Sequence, residues 1–295
     1  LTETLILSLA VLLRILSNPL GNVFQKQLTT KGSHPLFINS FTYLIISLIS
    51  ISIAIRLNWN LLPVQFWFYA LLTGLAGGAG NGFLIKALQK GELSVLGPIN
   101  AYKSVIGILG GIIFLGEFPN FAGLAGITCI IAGSYFVLDT GEDKFSFALL
   151  KRKDIQFRIW AMILTAIEAV FIKKMIIFSD PAIAFCCWCW FGFVFSFFLL
   201  VYEKVAIKEA VRKFSIWELK RYTPLVLCIA VMQFTTNYTF SHMPVGYALS
   251  LFQLSVILSV LMGHHFFNEQ NILKKLAGAI IMIAGSVILI LMKGH

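Results

Sequence analysis

The sequence predicts an all-α integral membrane protein, with ten transmembrane helices in two inverted five-helix repeats around a central cavity. Three observations predict it. Hydrophobic residues make up 58% of the 295 and charged residues 12%, with a mean hydropathy of +0.87, far from the balance of a soluble domain. Apolar runs long enough to cross a ~30 Å hydrocarbon core recur along the whole chain. The chain also matches itself when slid along by about half its length, and an odd number of spans per repeat forces the halves into opposite orientations.

A window of about 20 residues places the spans near 4–26, 36–57, 65–87, 93–115, 119–138, 157–178, 181–202, 222–241, 244–267 and 272–292. Span one starts near Leu5 and outlasts a signal-peptide core, so it reads as a membrane span. Its Arg14, Asn18, Asn22 and Gln25 follow at steps of four, four and three, which is one face of a helix. Pro19 removes a backbone donor beside that face and is expected to kink the span. Trp59 and Trp67 flank the next loop but one, as an interfacial aromatic belt would. Span three carries Gly74, Gly77, Gly78 and Asn81. Span four carries Asn100, Lys103 and Gly107 on one face, with Gly110 and Gly111 a turn beyond. In spans five and ten, Gly123, Gly126, Gly133, Gly278 and Gly285 allow close helix packing.

The basic stretch 139–156 reads as the connection between a first repeat, 1–138, and a second, 157–295. Span six brings Thr165 and Glu168 together. The five cysteines, Cys129, Cys186, Cys187, Cys189 and Cys228, all lie in apolar runs, which argues against a disulfide framework. "CCWC" lacks zinc-ligand spacing, so no metal and no cofactor is expected. Between Glu203 and Arg221, Ile207, Val211, Phe214 and Trp217 share a face with basic residues around them, an interfacial amphipathic helix. Span eight pairs Gln233 with Asn237, and span nine pairs Ser250 with Gln253. His264 and His265 end span nine beside Glu269 and read as interfacial. "NYT" at Asn237 matches a glycosylation pattern but lies inside span eight, out of reach of that machinery.

The repeat is explicit. At an offset of 152, Gly111–Ser134 aligns with Gly263–Ser286, and ten of the twenty-four positions are identical: Gly111, Phe114, Glu117, Leu124, Ala125, Gly126, Ile131, Ala132, Gly133 and Ser134. Near an offset of 147, "VFQK" at Val23–Lys26 meets "VFIK" at Val170–Lys173. The formal charge of +10 reflects loop Lys and Arg that orient spans against anionic headgroups, and nucleic acid is not an expected partner. With both termini outside, Arg56, Lys173, Lys174 and Lys293 lie on the outer side. The other loops, with Lys151, Arg152, Lys153, Lys220, Arg221, Lys274 and Lys275, face the cytoplasm. The positive-inside rule therefore favours outside termini.

These features resemble the drug/metabolite transporter superfamily and, within it, the EamA-type proteins. The resemblance rests on two five-span halves and on "ALQKGELSVLGPI" (Ala87–Ile99) leading into span four. It rests further on Gly116-Glu117 and Asn268-Glu269 ahead of "GLAGITCIIAG" and "KLAGAIIMIAG". It covers essentially the whole chain. It implies a secondary transporter whose cavity is lined mainly by spans one, three, four, six, eight and nine, in a family carrying amino acids, sugars, nucleotide sugars, phosphorylated sugars and lipophilic cations. Its amino-acid members are mostly exporters. Many members keep their termini in the cytoplasm, against the orientation the charges favour here.

Inverted-repeat transporters bind substrate near the bilayer midplane. Arg14, Lys103 and Glu168 sit almost on the midpoints of spans one, four and six, and an ionisable group at that depth is costly and usually functional. The expected substrate-binding set is Arg14, Asn18, Asn22, Asn81, Asn100, Lys103, Glu168, Gln233, Asn237 and Gln253. Asn81 and Gln233 are repeat equivalents at the 152 offset. Arg14 and Lys103 read as anchors for an anionic group, the alternative being an ion pair with Glu168 that locks helices. Glu168 reads equally as a salt-bridge partner and as a proton-coupling or substrate-ammonium site. The amides also serve as interhelical glue.

Two cations and one carboxylate suit a small anion or zwitterion, an amino acid or related organic acid, moved by alternating access. An organophosphate or nucleotide sugar is the alternative, although span nine lacks the basic pair such a carrier would show. A lipid flippase is another, and a non-transporting scaffold has no reason to bury three charges. An intramembrane enzyme would need a nucleophile or metal motif, and there is no His-Glu-x-x-His helix, Gly-x-Ser motif or aspartate pair. The expected setting is the plasma membrane, a bacterial inner membrane, as a monomer or weak homodimer. The expected partners are a small-molecule substrate, lipid, and a proton or counter-substrate.

Overall fold

The computed structural model describes residues 2–59, 62–103, 105, 121–138, 151–212 and 216–292, and among them there are helices and turns but no strand. The helices are α1 (Thr2–Thr30), α2 (Pro35–Ala54), α3 (Val64–Lys90), α4 (Leu93–Leu96), α5 (Phe121–Leu138), α6 (Lys153–Phe178), α7 (Pro181–Tyr202), α8 (Ile207–Arg212), α9 (Ile216–His242), α10 (Val245–Phe252), α11 (Ser255–Phe267) and α12 (Ile272–Met292). By length and composition α1, α2, α3 and α7 are each able to cross a membrane. Helix falls within each of the ten predicted spans. The outer faces carry Leu5, Leu9, Leu12, Leu48, Phe68, Leu75, Phe198 and Leu227, all exposed, as a lipid-facing surface requires.

The two halves pack on each other through exchanged pairs. Helix α1 lies on α9 and α6 on α3, while α2 meets α7 and α5 meets α12. Swapping the halves maps the first two pairs onto each other and each of the others onto itself. In the α5–α12 pair, a methyl at Gly133 would come within 2.6 Å of the Gly278 carbonyl, and one at Gly285 within 2.6 Å of the Gly126 carbonyl. Backbones this close exclude any side chain, as expected of small residues at membrane helix interfaces.

Spans four and nine are broken rather than continuous. Helix α4 ends at Leu96, and Pro98–Ala101 forms a 3-10 turn, because Pro98 has no N–H to continue an α-helix. The single helical face expected for Asn100, Lys103 and Gly107 is therefore interrupted at its start, and Gly107, Gly110 and Gly111 lie outside the described residues. Span nine divides into α10 and α11 at Gln253-Leu254, the repeat position of the first break. The breaks meet, with Gln253 Nε2 donating to the Asn100 carbonyl at 3.4 Å.

Helix α1 contains Pro19 and continues through it. Two further expectations change. Helix α6 begins at Lys153, inside the stretch read as connecting loop. Of the amphipathic segment, Ile207–Arg212 forms α8 and the residues from Ile216 already belong to α9. Phe214 and the side chains of Val211 and Trp217 lie outside the described residues, as do Ser250's side chain, Glu117 and residues 139–150.

A buried ionic clasp joins α1, the start of α4 and the turn after α11. Asn268 takes a left-handed conformation (φ 52°) that ends α11 and turns the chain back. Glu269 then reaches the start of α4, where Oε1 accepts from Leu93 N at 2.7 Å and Oε2 from Ser94 N at 2.8 Å. These are amides that a helix start leaves without intrahelical partners. Lys26 Nζ donates to Glu269 Oε1 at 2.7 Å and to the Gly91 carbonyl at 2.9 Å, and it lies 4.5 Å from the Phe267 ring centre. Lys275 donates to Glu92 and to Ser94 Oγ. A methyl at Gly263 would come within 2.3 Å of Glu269 Oε2, so a glycine is required there. Burial opposes the Glu269 charge, yet the Lys26 ammonium and the donors of Ser94 hold its carboxyl below the ordinary 4.5.

Candidate functional site

Helices α1, α3, α6, α9 and α10 and the broken start of span four surround a polar cavity of about 110 Å³. Helices α2 and α7 add one residue each, Tyr43 and Trp188. Of the residues expected to bind substrate, Arg14, Asn18, Asn22, Asn81, Asn100, Lys103, Glu168 and Gln233 line it. Asn237 and Gln253 stand behind its wall. Asn237 accepts from Gln233 Nε2 at 2.9 Å and donates to the Pro181 carbonyl at 3.2 Å, so it positions Gln233. Gln253 joins the two helix breaks.

Each charge has a distinct setting. Arg14 Nε donates to Thr236 Oγ1 at 2.7 Å, and its guanidinium lies 4.8 Å from the Phe252 ring centre. Among the described residues its Nη1, which is buried, has no hydrogen-bond partner, and the same holds for Asn100 Oδ1. Lys103 faces the cavity, where Arg158, Arg14 and Glu168 are the charges close enough to act on it. Glu168 Oε1 accepts from Trp188 Nε1 at 2.6 Å. This bond needs the bare backbone of Gly77, where a methyl would come within 2.2 Å of Glu168 Oε1. Among the described residues no ion pair joins Glu168 to Arg14 or Lys103, so the helix-locking pair weighed from the sequence is not formed.

An amide relay holds one wall. Gln25 Nε2 donates to Asn81 Oδ1 at 3.3 Å, Asn81 Nδ2 to Asn39 Oδ1 at 2.6 Å, and Asn39 Nδ2 to the Gly78 carbonyl at 2.8 Å. Asn81 thus faces the cavity while also serving as interhelical glue. The relay ties α1, α2 and α3 together.

The EamA-like transporter family matches residues 6–139 and again residues 154–291. The chain belongs to the EamA-like transporter family. It is similar to an uncharacterized transporter in the cobO 3' region of Sinorhizobium sp, 29% identical over 96 residues that cover 32% of this chain and 68% of that one. A solved structure described only as a crystal structure of a protein superposes with a TM-score of 0.62 at 14% identity. It covers 97% of this chain and 96% of its own, a likeness of fold.

This EamA-like transporter is thus a multi-pass membrane transporter. Its cavity holds polar residues the sequence reading missed, Arg158 first among them. Arg158 lay at the edge of the presumed connecting loop, but α6 starts at Lys153, which puts Arg158 more than a turn inside the helix. It is 4% exposed, lines the cavity and donates from Nε to the Leu96 carbonyl at 2.7 Å. The charge is therefore three cations and one carboxylate, in place of the two cations and one carboxylate read from the sequence. Tyr43, Trp188 and Thr236 were missed as well. Trp188 brings its single N–H from the otherwise apolar stretch "AFCCWCWFGF", which periodicity does not register.

Proposed function

We propose that this EamA-like transporter carries a small polar metabolite, an amino acid or related organic anion or zwitterion, across the plasma membrane by alternating access. One observation carries the reading. Three cations from separate spans converge on one polar cavity where a buried Arg14 amino group lacks any partner. An unpaired buried donor costs about 1–3 kcal/mol, more when charged, and an anionic ligand removes that cost. Lys103 and Arg14 hold the anionic group. Glu168, held by Trp188, takes a ligand ammonium or a coupling proton. Asn18, Asn22, Asn81, Asn100 and Gln233 orient the ligand.

The cavity volume supports a small ligand. At about 110 Å³ the cavity has room for a small polar ligand. The meeting of two helix breaks at the cavity supports alternating access, since discontinuous helices at a repeat interface are the usual framework for it. Export is the direction the family resemblance favours, and a bacterial inner membrane is the proposed location.

The test is thermal stabilisation of the purified protein by amino acids, organic acids, sugar phosphates, nucleotide sugars and quaternary amines, with wild type beside Lys103→Met. A ligand at a hundred times its dissociation constant adds about 2.7 kcal/mol. An acid or zwitterion that stabilises wild type only is the expected result. A cationic ligand, or one indifferent to Lys103→Met, overturns the proposal.

A further inference from the structure

We infer that the cavity selects a short dicarboxylate bearing a hydrogen-bond donor, an α-amino or α-hydroxy diacid, and that Arg158 is the residue selecting its second carboxylate. This rests on the proposed reading of the cavity as a substrate site. Arg14, Lys103 and Arg158 come from α1, span four and α6, so three separate elements each bring a cation to the cavity. Two carboxylates joined by a short chain offer these cations more acceptors than one carboxylate does.

The only carboxylate among the described residues of the cavity lining, Glu168, already accepts from Trp188. Against three cations it leaves a formal excess of two positive charges, and a monocarboxylic zwitterion would cancel none of it. An α-hydroxy diacid, a dianion, matches the excess, and an α-amino diacid, with a net charge of −1, halves it; either supplies a hydrogen for Asn100 Oδ1, a buried acceptor without a partner among the described residues. Arginine suits the second carboxylate, because its planar fork can bind the Leu96 carbonyl through Nε and still present amino groups to an anion.

The experiment measures affinities of the full chain in detergent for L-aspartate, L-malate, succinate, L-alanine, L-lactate and inorganic phosphate. Wild type is compared with Arg158→Gln, Arg158→Lys and Lys103→Met. Aspartate and malate are expected to bind wild type about tenfold or more tighter than alanine and lactate, with succinate between them. Arg158→Gln is expected to lower aspartate and malate affinity by about 10- to 100-fold and to leave alanine and lactate unchanged, which a structural role would not do. Arg158→Lys is expected to fall between.

Equal affinity for mono- and dicarboxylates in wild type overturns the inference, as does a uniform loss for every acid in Arg158→Gln. Succinate matching malate overturns the donor requirement, and tightest binding of phosphate replaces the diacid with a phosphorylated ligand. If Arg158→Gln does not fold, the wild-type ratio of aspartate to alanine and the Arg158→Lys variant still decide. The underlying reading fails separately, when no acid binds wild type or when Lys103→Met leaves acid binding unchanged.

Discussion

Two clusters of buried charge divide this transporter between them, and they are built oppositely. In the clasp, Glu269 is saturated by Lys26 and two backbone amides, while Lys26 and Lys275 each reach two acceptors. In the cavity, the cations outnumber the carboxylate and Arg14 Nη1 and Asn100 Oδ1 have no partner. Burial is common to both, so burial alone does not tell structural from ligand-binding charge. The state of satisfaction does. A saturated charge pair holds the folded state together, and removing one member strands the other. An unsaturated set destabilises the empty protein, and removing a member relieves it.

The largest effect is expected at Glu269. Glu269→Ala leaves Lys26 buried without its counter-ion and uncaps α4, a loss of about 3–5 kcal/mol, read as a lowered unfolding temperature in micelles. A variant as stable as wild type would erase the distinction between the clusters. Lys103→Met is expected to do the reverse, leaving stability equal or higher while lowering anion affinity by about 10- to 100-fold. Loss of stability together with affinity would move Lys103 into the structural class.

Gly77→Ala sharpens the comparison within the cavity. Its methyl would meet the movable end of Glu168 at 2.2 Å, so the carboxylate leaves Trp188 at small cost in stability. Transport is expected to fall in Gly77→Ala and in Trp188→Phe alike, and full transport in Gly77→Ala would show that the Glu168–Trp188 bond is dispensable.

Acid separates the clusters in another way. The folded Glu269 carboxyl lies below its unfolded value of 4.5, so its stabilisation is complete above that value and is lost as pH falls through the folded one. Wild type is expected to lose melting temperature over that acid window, and Glu269→Gln is expected to lack this component. An identical acid profile in both would contradict the pairing. The smallest effect is expected at Glu203, whose pair with Lys86 spans 2.8 Å but leaves Glu203 largely in solvent. Glu203→Gln is expected to change stability by about 0–1 kcal/mol.

The sequence by itself determined the helical membrane class, the duplication and most of the cavity. Apolar length and composition fix where helix can cross lipid, because backbone groups there must be satisfied within the helix. A charge at mid-depth is too costly to be incidental, which is why Arg14, Lys103 and Glu168 were legible from position alone. The repeated glycine and glutamate of the two halves were visible too. That Gly263 makes room for Glu269 over the start of α4 was not, since the contact joins loops far apart in the chain.

Only the tertiary structure decided which polar residues share the cavity. Arg158 was hidden by a helix boundary set four residues too late, and boundaries are weakly specified by local sequence. Asn237 and Gln253 had the right depth and residue type, yet packing turned them to neighbouring amides and carbonyls. Periodicity gives the face of a helix. What that face meets depends on the rotation and crossing of other helices, and those are fixed by contacts such as the glycine pairs of α5 and α12 that no single span contains.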